Sequence, residues 1–305
     1  MKKVMAEKVK TKLKRDRQYY LLILPAVIYV LVFCYAPMYG VQIAFKNYKM
    51  SLGVFKSSWV GFRNFMDFFN SYSFWTLIEN TFILSFYSLI VGFPIPIIVA
   101  LIINELKGNF KKFTQTVLYA PHFISTVVLV GMITALFSPS SGAFNTILNK
   151  LGIESIYFMG LPEWFRHIFV WSGVWQQMGW NAIVYIAALS SVDPSLHEAA
   201  SIDGATRFQK ILKINLPTIA PTIIIMLIMR MGQLASVSYE KVYLMQNDLN
   251  VEVSEVISTY VYKRGLLNYN YSFATAVGLF NNVINIALVL LANKISKKFS
   301  ETSLF

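Results

Sequence analysis

The chain has 305 residues, of which 56% are hydrophobic and 14% charged, and its net charge is +12. Soluble domains carry about a quarter charged residues, so this composition excludes an ordinary soluble protein and points to lipid. The basic excess argues against a nucleic-acid partner, because eight of the 27 Lys and Arg residues crowd into the first 17 positions.

Residues 1–17 form a basic arm. Met5, Val9 and Leu13 recur there at four-residue spacing. That fits an amphipathic helix on a membrane surface as well as it fits a disordered tail. A bilayer core needs about 20 apolar residues per helical crossing. Six stretches meet that length, at about 19–45, 74–104, 113–137, 167–190, 217–239 and 271–293. The predicted fold is all-α: one polytopic membrane domain, 1–305, with six transmembrane helices. The first run is too long for a signal-peptide core and reads as a retained span. Its Cys34 is the chain's single cysteine, so no internal disulfide forms.

In the second span, Gly92-Phe93-Pro94-Ile95-Pro96 removes two backbone donors and predicts a bend. The bend either lines a path or serves packing alone, and packing is the preferred reading. In the 138–166 loop, Ala143, Ile147, Leu148 and Leu151 lie at helical spacing and predict a short amphipathic helix outside the bilayer. With the N-terminus inside, the arm, the 105–112 and 191–216 loops and the C-terminal tail hold 17 basic residues, against nine in the longer outer loops. This positive-inside bias places both termini in the cytoplasm.

No catalytic residue or metal site is expected. The dipeptide Gly-Lys never occurs, so no P-loop can be drawn, and no cofactor is expected on this chain. His122, His167 and His197 never pair at i, i+4 and, with one cysteine, make no zinc pattern. His122 reads as a packed or interfacial residue.

The polar 191–216 segment is the most informative. Ser195, with Glu198 three residues on, predicts a capping box at a helix start. Gly204 predicts that helix's stop. Asp203 is placed to cap a second amphipathic turn over 205–214, which should end before Pro217. Ala199, Ala200 and Ala205 are small enough for close backbone approach, and Phe208, Ile211 and Leu212 give an apolar face. A helix–Gly–helix elbow projecting from a membrane protein is a docking surface.

Glu198-Ala199-Ala200, then Gly204, then Ile214-x-Leu216-Pro217 resembles the signature loop of ABC-importer permease subunits. Segments 35–48, 59–65, 138–153, 239–247, 256–266 and 271–285 look like the oligosaccharide and polysaccharide branch of type I importers, so the resemblance covers nearly the whole chain. It implies a permease in a bacterial cytoplasmic membrane that imports oligosaccharides by alternating access. The implied partners are a second homologous permease, two ATPase subunits carrying ATP and Mg, and an extracellular or periplasmic solute-binding protein. The implied ATPase-coupling residues are Glu198, Ala199, Ala200, Asp203, Gly204, Ala205, Phe208, Leu216 and Pro217.

Arg230 is the telling charge inside a span. A mid-span charge costs several kcal/mol in lipid, so it must face protein or water. It either donates to sugar on a path or is held structurally by a carboxylate such as Glu79 or by backbone carbonyls, and the structural role is the preferred reading. Gln233, Ser236, Ser238 and Tyr239 make the rest of that span polar. Sugar rings want flat apolar faces beside donors, so Trp171, Trp175, Tyr239, Tyr243 and Tyr260 join Arg230 and Gln233 as path candidates. Each aromatic also fits an interfacial belt. The alternatives are a permease for another solute, or a membrane-embedded glycosyl or lipid transferase. The latter wants acidic pairs or metal ligands, and none is visible.

Overall fold

Apolar segments in lipid must satisfy their own backbone polar groups, and helices do this within one segment. The computed structural model describes residues 15–299, and its elements are almost all helical. Met5, Val9 and Leu13 lie outside the described residues. Helix α1 (Arg17–Phe45) has none of its apolar window buried. A two-residue ribbon pairs Lys46 with Trp59 and Asn47 with Ser58, and α2 (Arg63–Phe69) follows. Next come α3 (Phe74–Glu105), α4 (Gly108–Phe123) and α5 (Thr126–Leu136). The predicted amphipathic helix is present as α6 (Ala143–Lys150), and α7 (Pro162–Leu189) is the central rod. Helix α8 (Pro194–Ile202) leads to α9 (Arg207–Met231). The chain closes with α10 (Tyr239–Met245), α11 (Ile257–Tyr262) and α12 (Tyr271–Phe299).

Among the described residues, four helices can cross a bilayer by length and hydropathy: α1, α3, α9 and α12. The pair α4 and α5 makes a fifth if counted as one span, bent by 98°. Helix α7, with 28 residues, is also long enough, but it carries Arg166, Gln176, Gln177 and Asn181. Six was the expected count.

Two expected spans are broken. The 113–137 run turns at Ile124, where Ser125 Oγ accepts from the Val128 N–H at 3.3 Å and starts α5 afresh. The 217–239 run stops at Met231. At its other end, Pro217 does not terminate the preceding turn. A π turn at Ile211–Asn215 lies just ahead of it. Such a turn shifts the local bonding register, so a residue without an N–H fits inside a continuous helix.

Helix α7 organises the packing. Both halves of α3, together with α4 and α9, lie against it. Leu84, Leu129, Phe165, Phe169, Val242 and Met245 form one core where α3, α5, α7 and α10 meet. Ala100, Ala182, Tyr185 and Ile219 join α3, α7 and α9 in a second. Phe68, Leu77, Ile257 and Phe273 bind α2, α3, α11 and α12 in a third. Small residues permit the closest crossings, as is usual between membrane helices. At Gly179 of α7, an added methyl would run into the carbonyl of Leu118 on α4, whereas at Gly131 it would meet open space. Gly179→Ala should therefore destabilise the purified protein by about 1–3 kcal/mol, the usual range for overpacking. Thermal unfolding in detergent should show this loss, and Gly131→Ala should not.

Candidate functional site

Helix α9 ends inside the bundle, and the chain runs irregularly through 232–238 before α10 begins. Asn285 of α12 repairs the broken backbone. Its Oδ1 accepts from the Ala235 N–H at 2.9 Å, and its Nδ2 donates to Ser236 Oγ at 2.8 Å. Ser258 Oγ donates to the Val237 carbonyl at 2.9 Å. Irregular backbone at membrane depth persists only where protein buries it or it lines a cavity. Here it lines a cavity of about 400 Å³, whose other walls include Ser88 and Leu89 of α3 and Phe169, Val174, Gln177 and Asn181 of α7. Gly92 and Phe93 also line it. Pro94 and Pro96 are not on the lining, and Pro96 is buried.

Arg230 and Gln233 face the cavity. The expected pairing of Arg230 with Glu79 is not formed: among the described residues the ion pairs are Arg15–Asp16 and Lys263–Glu255. Arg230 lies in the last turn of α9 instead, where the helix dipole favours a cation. It also acts electrostatically on the buried Tyr185 phenol.

The other cation of the cavity, Lys241, escaped the sequence reading, which counted it only as an outer-loop charge. It is buried, and its Nζ donates to the Phe169 carbonyl at 2.8 Å. The same ammonium stands 4.6 Å over the Phe169 ring. Gly173 leaves it room, since a Cβ there would sit 3.2 Å from Nζ. Burial pushes this ammonium down from 10.5 to about 7. The signal for it was its place two residues past Tyr239, where the polar run ends.

Trp171, Trp175 and Tyr239 are absent from the cavity lining. Trp171 Nε1 donates to the Tyr87 hydroxyl at 3.1 Å, and that hydroxyl lies 2.8 Å from His167 Nδ1. Tyr239 stacks on Tyr262 at 5.3 Å, with Tyr243 edge-on to the same ring. Tyr260 is buried core. His122 stacks on Trp180 at 4.1 Å and bonds Gln177, a lining residue, at 2.9 Å.

The elbow at 191–216 is built by four local devices. Asp193, not Ser195, caps α8: Pro194 occupies the first turn, and Asp193 Oδ1 accepts from the Ser195 N–H at 2.9 Å. This bond holds the exposed Asp193 carboxyl below its ordinary range. At the far end, the Ala205 N–H reaches the Ala200 carbonyl and the Gly204 N–H the Ser201 carbonyl. These are the two bonds of a Schellman stop, and Gly204 takes φ +75° as expected. Asp203 ends α8 and does not cap the next helix. Thr206 does, in a capping box with Gln209. Lys210 Nζ straps the two arms, donating to Ser201 Oγ at 2.5 Å. Glu198, Ala199, Asp203 and Pro217 are exposed, and Ala200, Ala205 and Leu216 are half-buried. Phe208 is 68% exposed, and Ile202, which the sequence reading overlooked, is 87% exposed.

Residues 80–301 match the family described as the binding-protein-dependent transport system inner membrane component. The chain belongs to this family. Protein LplB of Bacillus subtilis strain 168 is 44% identical over 96% of this chain and 92% of its own length. YteP, a polygalacturonan/rhamnogalacturonan transport system permease of the same strain, is 40% identical over 100% and 95%. Among solved structures, a chain of a bacterial alginate ABC transporter, in complex with an alginate pentasaccharide-bound periplasmic protein, superposes with a TM-score of 0.88. It is 42% identical and covers 96% of this chain and 99% of its own. The protein is thus a membrane-embedded transport component with an all-α permease fold.

Two outcomes follow from this geometry. A β-branched residue at positive φ costs about 1–3 kcal/mol, so Gly204→Val should lower uptake by the assembled transporter at least about tenfold at equal abundance. Lys241 gives a pH signature. Its folded value, about 7, lies below the unfolded 10.5, so between these the unfolded chain holds more protons and stability rises with pH. The unfolding temperature of the wild type should climb between pH 7 and 9, relative to a Lys241→Met variant that cannot titrate there.

Proposed function

We propose that this chain is one of two related permease subunits in an ATP-driven importer of oligosaccharides. Helix α9 carries the reading: one 25-residue rod starts at the elbow and ends at the cavity. At 1.5 Å per residue it is about 37 Å long, so a displacement imposed on the elbow reaches Arg230. Glu198 to Ala205, together with Phe208, dock in a groove of one of the two separate ATPase subunits that hold ATP and Mg. Both termini and the elbow lie in the cytoplasm of a bacterial cell. A solute-binding protein delivers the saccharide from the other side, and closure of the ATPases turns the cavity from outward to inward access. Such a cycle requires the saccharide and ATP to bind the two states with different affinities. The saccharide assignment draws on the relatives named for polygalacturonan/rhamnogalacturonan and alginate transport. One elbow serves one ATPase, so a second permease completes the pair.

The purified chain should hydrolyse no ATP. Reconstituted with a second permease, the ATPases and a glycan-loaded binding protein, it should support ATP-dependent glycan uptake into vesicles. Uptake that persists without ATPase subunits would refute the proposal.

A further inference from the structure

The cavity has charge of one sign. Arg230 and Lys241 line it, and among the described residues no Asp or Glu does. The Arg230 guanidinium makes no hydrogen bond or ion pair with any described residue, so its donors are free for an occupant. The α9 terminus offsets only about half a charge. Neutral sugars present hydroxyls, which both donate and accept; a guanidinium and an ammonium only donate. Two donor-only cations without an acidic neighbour therefore suit an occupant that brings negative charge and surplus acceptors.

We infer that the cavity selects a saccharide bearing carboxylates, with Arg230 and Lys241 as its specificity-determining residues. This rests on the saccharide reading above and deepens it. The planar fork of Arg230 matches a carboxylate with two parallel hydrogen bonds. One of the three Lys241 donors is spent on the Phe169 carbonyl, which fixes the ammonium and leaves two for a ligand. An anion arriving beside Lys241 favours its charged form, so the lysine takes up a proton from solvent as the ligand binds. Gln233, Asn181 and Ser238, all on the lining, supply mixed donors and acceptors for the ring hydroxyls.

The test is equilibrium binding to the complete purified transporter without binding protein, so that only the cavity discriminates. The probes are a tri-uronide, its carboxyl-reduced counterpart in which each carboxylate has become a hydroxymethyl group, and a sugar phosphate. The wild type should favour the tri-uronide over the reduced trisaccharide by at least about tenfold, equivalent to about 1.4 kcal/mol. Arg230→Gln should bring that ratio towards one, and Arg230→Lys should retain part of it. A structural role would lower both affinities together and keep the ratio. If Arg230→Gln fails to assemble, the wild-type ratio and that of Lys241→Gln decide. Equal wild-type affinities, a ratio preserved in the Gln variants, or a preference for the sugar phosphate would each overturn the inference while leaving the saccharide reading intact. Binding of neither trisaccharide would overturn both.

Discussion

Backbone hydrogen bonding in the absence of water is the constraint on which the rest of this structure depends. A helix can end inside a bilayer only if something else satisfies the groups it frees. Asn285 does this for the Ala235 N–H, and Ser258 does it for the Val237 carbonyl. Because those groups are satisfied from α12 and α11, α9 can stop at Met231. Leu216 to Arg230 spans about 20 Å of helix, past the midplane of a hydrocarbon core about 30 Å thick. The break therefore opens the cavity deep in the protein, and the carbonyl end of α9 gives Arg230 its place there.

The opposite end of the same helix is built for stiffness. A Schellman stop, a capping box and the Lys210–Ser201 strap lock α8 and the start of α9 into one elbow. Each device is worth about 1 kcal/mol or less. Together they fix the direction in which Ile202 and Phe208 point. Exposed apolar side chains on a mobile loop would bind weakly, since docking would have to order them first. On the proposed coupling role, a preset elbow attached to a continuous helix passes docking energy on to α9.

What was legible in the sequence followed from local chemistry. Gly204 announced a positive φ, Ala143 to Leu151 announced a helix, and the apolar runs announced the class. The misreadings arose where two local signals competed. Ser195 and Glu198 spell a capping box, but Pro194 supplies a preset first turn without an N–H, which moves the cap back to Asp193. Asp203 looked like a cap, yet the Schellman geometry already used that residue to end α8. Pro217 looked like a stop because a π turn has no readable sequence pattern. The cavity was half legible. The polar run after Arg230 pointed to it, but Asn285, distant in sequence, decides that the run is unwound. Trp171 and Trp175 were chosen for chemistry that suits a sugar; helix phase turned them away from the cavity, and an isolated pattern does not give that phase.

The two cations of the cavity are held by different physics, and the difference matters for what the site can do. A guanidinium keeps its proton in proteins, so Arg230 is tolerated by position, at a helix end that offers partial negative charge. Lys241 has no helix end to face. It is buried against Phe169 and answers burial by holding its proton less tightly. The cavity thus has one fixed charge and one that depends on its surroundings. On the inference drawn above, an anionic occupant favours the charged form of Lys241, so the site is most cationic when it is filled.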